Sequence, residues 1–365
     1  MTVYKIDGTE LTGAFDLVGT GLNSVYALDG TEIPFDDDPD IPVTPLTWDM
    51  PEAYKQQVLD ALDYMKTYKQ WHSSAFALAQ FNDVHTYVGS NEPNFIDYNK
   101  GYKVLNYMMF LGDLVNNSSV NQYTNSVNYM AGAQASKRLV GMGNHEYMNY
   151  NASYGNPETL YGALINVDTV FMPTDNSALI YYHDDATLNV RFILLNYFYI
   201  TKTHADSGHL LDMAQLNWLA SVMQSAGDKD IVIGAHSMLN PFVALRTGRS
   251  SSSSAQINQQ QDLINVINAF KNRSTYSVTV DGVTHAHNFS SCTGDFIMYT
   301  SGHYHILGQS DDFGFNMFTC PARKGTSTGL EKGFVFYLID KALKSVKVIE
   351  CAYDFTESLT YDFTY

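Results

Sequence analysis

The chain has 365 residues, 45% of them apolar, which suffices for one large domain with a sizeable core plus a small appendage. Its formal charge of −17, with no basic run to offset it, disfavours nucleic acid as a partner. Three cysteines without a CxxC spacing exclude a disulfide framework and a zinc ribbon, leaving only a Cys320–Cys351 bridge open.

The first residues lack the basic-then-apolar pattern of a signal peptide. No stretch approaches the roughly 20 apolar residues of a membrane span. A cytoplasmic or virion-associated protein is therefore expected, with no membrane partner. Residues 1–35 hold three repeats of eleven residues. Val3–Leu11 aligns with Ala14–Leu22 and with Val25–Ile33. Each unit alternates apolar and polar residues around a central Asp-Gly or Val-Gly pair, a pattern of short hairpin strands. Residues 36–48 form a Pro/Asp-rich linker. The main domain then spans 49–365, opening with a helix over 49–71. Asp49 caps it, Pro51 sits in its first turn, and Val58, Leu59, Leu62, Met65 and Tyr68 recur at helical spacing.

Further elements follow in order. Strands are expected at 76–81, 108–111, 139–142, 231–233 and 296–300, and helices at 120–138 and 256–271. Another helix runs through Gln215–Leu219, with Leu211, Gln215, Trp218, Leu219 and Val222 on one face. Hairpins turn at Asp184–Thr187 and at Asp281-Gly282. The segments 315–319, 333–339, 345–351 and 359–365 are β-rich and would build the second sheet of a two-sheet core. Residues 247–255 are of low complexity. His204 and His209 read as solvent-exposed loop residues, and His285 and His287 as neighbours on one exposed strand face. Arg246 and Arg249 read as solvated, within reach of a substrate phosphate when ordered. The polar, aromatic segment 86–100 overhangs the expected site.

The five strands first named above end in the same chemistry. Asp83 and His85 follow the first, Gly112-Asp113 the second, Gly143-Asn144-His145-Glu146 the third, Ala235-His236 the fourth and Gly302-His303-Tyr304-His305 the fifth. Such placement puts side chains at the carboxyl edge of a sheet, where α/β proteins keep their sites. Strand alternation would send Asp83 and His85 to one side, and likewise His303 and His305. Oxygen and imidazole donors without thiolate suit Mn, Fe or Zn. Eight such groups exceed the three protein ligands of a catalytic zinc, which points to two metals sharing a carboxylate.

This order of DxH, GD, GNHE, single His and GHxH resembles the calcineurin-like metallophosphoesterase superfamily, over about residues 74–353. The resemblance implies an α/β fold, a four-layer α-β-β-α sandwich of two mixed sheets flanked by helices. It implies one metal held by Asp83, His85, Asp113 and His305, and a second by Asp113, Asn144, His236 and His303. It further implies hydrolysis of a phosphate mono- or diester by in-line attack of a metal-bridging hydroxide, with His145 beside the leaving group. Glu146 would orient a neighbour, and residues 147–176 would cap the site's mouth. No Arg follows Asp113 closely, which argues against a phosphoprotein phosphatase. Asn116 stands where purple acid phosphatases carry Tyr, so an iron–tyrosinate is not expected. The substrate class is a small-molecule or extracellular phosphate ester. The N-terminal repeats loosely resemble adaptor segments of phage and gut-bacterial surface proteins, which implies attachment or oligomerisation through residues 1–35; a β-extension lying on the main domain is the other reading. A non-catalytic binding or structural component that keeps the fold is the competing function.

Overall fold

Continuous apolar runs become central strands in this protein, and alternating runs become an outer hairpin. The computed structural model describes residues 25–26, 32–33, 52–85, 104–117, 120–131, 137–148, 156–172, 174–175, 177–203, 209–248, 250, 257–322, 333–352 and 355–365. The chain divides into two compact units, Met1–Leu46 and Thr47–Tyr365. In the first unit, β1 (Val25–Tyr26) pairs antiparallel with β2 (Glu32–Ile33), Val25 lying opposite Ile33. These strands belong to the third repeat. The first two repeats and the linker lie outside the described residues.

The second unit begins with α1 (Glu52–Trp71), β3 (Ala75–Phe81), β4 (Tyr107–Leu111), α2 (Val120–Ala131) and β5 (Lys137–Gly141). Next come α3 (Pro157–Gly162), β6 (Val170–Met172), β7 (Ile180–Asp185), β8 (Val190–Leu194), α4 (Met213–Gln224) and β9 (Asp230–Gly234). Then follow β10 (Val243–Ala244), α5 (Gln260–Lys271), β11 (Thr275–Val280), β12 (Val283–Asn288) and β13 (Phe296–Ser301). The last are β14 (Gly308–Ser310), β15 (Met317–Thr319), β16 (Gly333–Asp340), β17 (Ser345–Ala352) and β18 (Leu359–Thr364).

Two mixed sheets result. One runs β18-β17-β16-β3-β4-β5 and the other β10-β14-β15-β13-β9-β8-β7-β6. Strands β3, β4 and β5 are mutually parallel, as are β8, β9 and β13. Every residue of β3, β4, β8, β9 and β13 is buried, as expected for parallel strands covered on both faces. Between the sheets, Phe192 of β8 packs on Phe76 of β3 and Tyr107 of β4, with ring centroids 6.3 and 4.4 Å apart. Helix α1 packs against β3 and β17. Helices α4 and α5 bury Leu216, Leu219, Leu263 and Ile267 in one core with Ile193, Ile231 and Tyr299 of the other sheet. This is the expected four-layer arrangement of helices, two sheets and helices. Among the described residues, no helix is long and apolar enough to cross a membrane.

Several local expectations are corrected. Helix α2 ends at Ala131, not at 138, because Lys137 and Arg138 are already paired in β5 with Tyr107 and Met108. Arg138 is held there by donating from Nε to the Leu164 carbonyl at 2.8 Å, a long-range contact that helical periodicity cannot register. Segment 315–319 supplies β15 to the eight-stranded sheet, whereas the later strands join β3. Arg246 is not solvated. It pairs with the buried Glu350 at 2.6 Å and lies over the ring of Phe355. His287 is buried, 2.8 Å from the Asn217 side-chain oxygen. All three cysteines are free and buried, so the Cys320–Cys351 bridge is absent.

At the sheet edge where β4 and β5 begin, a polar cluster ties the two sheets together. Asp185 of β7 accepts from the Tyr107 hydroxyl and from Lys137 Nζ, each at 2.6 Å. Burial alone would raise its pKa, but these two donors outweigh burial and lower it from 3.8 to about 2. A carboxyl pKa depressed by folding contributes stability above the unfolded value, and that contribution is lost as pH falls through the folded value. Asp185→Asn should therefore lower the urea midpoint at neutral pH. The gap to wild type should close between pH 3.8 and about 2, both proteins being measured in EDTA. A gap independent of pH would mean that packing, not charge, carries the effect.

Candidate metal centre

The strand ends deliver their side chains through tight left-handed turns. Asp83, His85, Asp113, His303 and His305 all have positive φ, between 46° and 71°. For residues other than glycine this is uncommon and costs about 1–3 kcal/mol each, and such strain concentrates at functional sites. Strand alternation is therefore not what brings Asp83 together with His85, or His303 with His305. Strands β3 and β13 end at Phe81 and Ser301, and the residues beyond curl over. The turns brace one another: Asp83 N donates to the Gly112 carbonyl, His85 N to that of Asp113, and Gly302 N to that of His236, at 2.9–3.0 Å.

All eight ligand-type residues read from the sequence converge. Around Asp83, His305 Nε2 lies 3.0 Å from Oδ1, and His85 Nε2 lies 3.8 Å from Oδ1 and 3.3 Å from His305 Nε2. Around Asp113, His236 Nε2 lies 3.2 Å from Oδ2 and 3.2 Å from His303 Nδ1. Asn144 Oδ1 is 3.1 Å from both of those imidazole nitrogens. Donor atoms of Asp83, His85 and His305 lie within 4.8 Å of one another, as do those of Asp113, His236 and His303. His85, Asp113 and His145 form a third such group, which shares His85 with the first and Asp113 with the second.

The chemistry of these atoms fits cations. His236 Nδ1 donates to the Leu111 carbonyl at 2.8 Å, so in the neutral ring Nε2 carries a lone pair. That lone pair faces the Asn144 and Asp113 oxygens, which accept only. A positive charge must sit among them, either a metal ion or a proton. Burial opposes a proton on His236, but Asp113 outweighs burial and raises the pKa to about 9. Burial likewise pushes against ionised Asp113, yet His236 and His145 hold it well below the usual carboxylate range. Burial pushes His85 down to about 4, leaving a neutral nitrogen ligand.

His145 sits at the accessible edge, its side chain 21% exposed and its Nε2 3.9 Å from Asp113 Oδ2. Its Nδ1 donates to the Asn116 carbonyl at 2.7 Å, which fixes Nε2 as the nitrogen facing the site. Glu146 is fully buried and staples two loops: Oε2 accepts from the Asp113 and Gly143 amides, and Oε1 from the Leu114 amide, at 2.7–2.9 Å. Gly143 is obligatory here, since a Cβ would lie 2.3 Å from Asp113 Oδ1. Tyr147, Glu158 and Tyr161 of the segment 147–176 are buried, and the Tyr161 hydroxyl lies 3.4 Å from Glu146 Oε1. These residues wall the GNHE loop from behind; residues 149–155 lie outside the described residues. Glu146→Ala would leave three buried amides unpaired, at about 1–3 kcal/mol each if unrelaxed. We expect a loss of about 2–4 kcal/mol in urea unfolding with EDTA present; no loss would contradict the staple.

One site neighbour escapes the sequence reading. His209 is fully buried rather than exposed, with its Nδ1 2.8 Å from Ser237 Oγ and its ring edge-on to Phe198 and His303, at 4.7 and 4.8 Å. Burial, reinforced by His303 and His236, pushes its pKa down to about 3. No local motif marks it. His204, Arg249 and residues 86–100 lie outside the described residues.

The family model for calcineurin-like phosphoesterases matches residues 76–306. No curated protein sequence matches the chain. Among solved structures, a predicted phosphoesterase from Streptococcus pneumoniae TIGR4 aligns at 9% identity and a TM-score of 0.34, over 80% of this chain and 98% of its own. Vacuolar protein sorting 29 from Cryptosporidium parvum aligns at 9% identity and a TM-score of 0.35, over 80% and 99%. The sulfate thiohydrolase SoxB of Thermus thermophilus aligns at 11% identity and a TM-score of 0.36, over 72% and 53%. With its five motifs in order and the matched span covering β3 to β13, and so every strand end that carries a motif, the chain belongs to the calcineurin-like phosphoesterase family.

Proposed function

We propose that the protein is a phosphoric ester hydrolase working with two metal ions, manganese being a suitable choice for this donor set. Asp83, His85, Asp113 and His305 would hold one ion, and Asp113, Asn144, His236 and His303 the other. The observation that carries this reading is the convergence of seven oxygen and nitrogen ligand atoms from five strand ends, each 3.0–3.3 Å from another. Bound ions would supply positive charge to a phosphate and lower the pKa of water from about 15.7 towards 7. Asp113, lying between the two groups of ligands, would offset part of the mutual repulsion of two cations. His145, oriented by the Asn116 carbonyl, would give a proton to the departing oxygen. The net charge of −17 favours a small or extracellular phosphate ester over a polyanion. Residues 1–35 would serve attachment or oligomerisation.

The test is hydrolysis of p-nitrophenyl phosphate and bis-p-nitrophenyl phosphate by EDTA-stripped protein with and without added manganese. Turnover restored by manganese is expected, and the ratio of the two rates separates monoesterase from diesterase. Absence of both metal uptake and turnover would overturn the proposal in favour of a non-catalytic binding component.

A further inference from the structure

Strand β3 is apolar except for Gln80, and both Gln80 and the following Asn82 are buried. A polar side chain placed there is costly unless its hydrogen bonds are made. Gln80 makes them across the sheets. Its Oε1 accepts from the Thr300 hydroxyl of β13, and the Tyr337 hydroxyl of β16 lies 2.8 Å from Thr300. Its Nε2 donates to the Ser301 carbonyl at 2.7 Å and to Asn82 Oδ1 at 3.0 Å. A backbone carbonyl only accepts, so the orientation of the Gln80 amide is fixed. That in turn fixes Asn82. Its Oδ1 is taken by Gln80, and its Nδ2 is turned to the Pro321 carbonyl at 3.2 Å and to Asp83 Oδ2 at 2.5 Å. The His303 amide also donates to Asp83 Oδ2, at 2.9 Å. Asp83 is left with Oδ1 alone facing His305 and His85. Gly302 completes the arrangement, since a Cβ there would lie 2.8 Å from three atoms of the Asn82 side chain.

We infer that Gln80 and Asn82 are positioning residues which present one oxygen of Asp83 to the first cation, and so set that ion's affinity independently of its neighbour's. The inference rests on the two-ion reading above and deepens it. Groups that orient metal ligands typically govern affinity by 10–100-fold. The reach is selective here: the Gln80–Asn82 chain ends on Asp83 and meets the second group only at the His303 backbone amide, whereas the His236 ring is oriented by the Leu111 carbonyl.

Titration calorimetry with manganese on EDTA-stripped protein, with metal analysis of the same samples, tests this. Wild type should bind two ions. Asn82→Leu, of similar size, should weaken one of them about 10–100-fold and leave the other unchanged. Gln80→Met, acting one step further away, should weaken the same ion less. Equal weakening of both ions, or no weakening, in a variant with wild-type melting temperature and circular dichroism would overturn the inference while leaving the phosphoesterase reading intact. If Asn82→Leu does not fold, Gln80→Met decides on the same criterion. A wild type that binds no manganese would instead overturn the two-ion reading and this inference with it.

Discussion

Asp113→Asn should lower metal loading and turnover together. The substitution keeps the size of the side chain and an oxygen able to accept from the His145 amide, now 2.8 Å away. What it removes is the negative charge common to the group with His85 and His145 and the group with His236 and His303. Asp113 is almost wholly buried, so nothing in solvent replaces that charge. Metal catalysis is worth several kcal/mol of transition-state stabilisation, and each 1.36 kcal/mol is tenfold in rate. A fall in kcat/KM on the order of 10³-fold or more is therefore expected, with metal content dropping from two ions per chain to one or none. A second readout needs no metal. The pKa of His236 stands at about 9 because Asp113 overcomes burial. In the stripped variant burial should win and the pKa should fall, which titration of its ring resonances by NMR would follow. An unchanged His236 and a full complement of metal would contradict the bridging role.

His145→Ala should separate chemistry from metal binding. His145 also belongs to a group with His85 and Asp113 whose donor atoms lie within 4.8 Å of one another. Its greater exposure and the 3.9 Å separation from Asp113 Oδ2 favour a proton donor over a ligand. The variant should keep both ions and lose about 10²–10⁴-fold in kcat, the range of general acid–base groups. The loss should be greatest for alkyl phosphates, whose poor leaving groups need a proton, and least for p-nitrophenyl esters. Loss of an ion would make His145 a ligand, and equal losses on both substrate types would remove its role as an acid.

Much of this site was legible because its chemistry is local. Each motif is a strand followed within three residues by a ligand-type side chain, and five such motifs in one order specify which strand ends must meet. The turns themselves were not legible. Nothing in Asp83-Val84-His85 announces that both ligands take positive φ, and strand alternation reached the right pairing through the wrong geometry. His209 was misread for the same reason in reverse: its place is set by Ser237 and Phe198, residues near in space but without a motif in common. Arg246 looked solvated because its partner Glu350 is 104 residues away. Gln80 was the one overlooked local signal, an amide in the middle of a buried apolar run, which demands partners wherever it occurs. Helix α2 was overrun to 138 because periodicity continues past the point where Lys137 joins the sheet.

The most direct measurement is anomalous diffraction at the manganese edge from a crystal grown with manganese. The account predicts two peaks, separated by the roughly 3.5–4 Å typical of two-metal sites, one beside Asp83 and His305 and the other beside His236 and Asn144, with the Asp113 carboxylate between them. No peak, or a single peak that Asp113 does not touch, would contradict it.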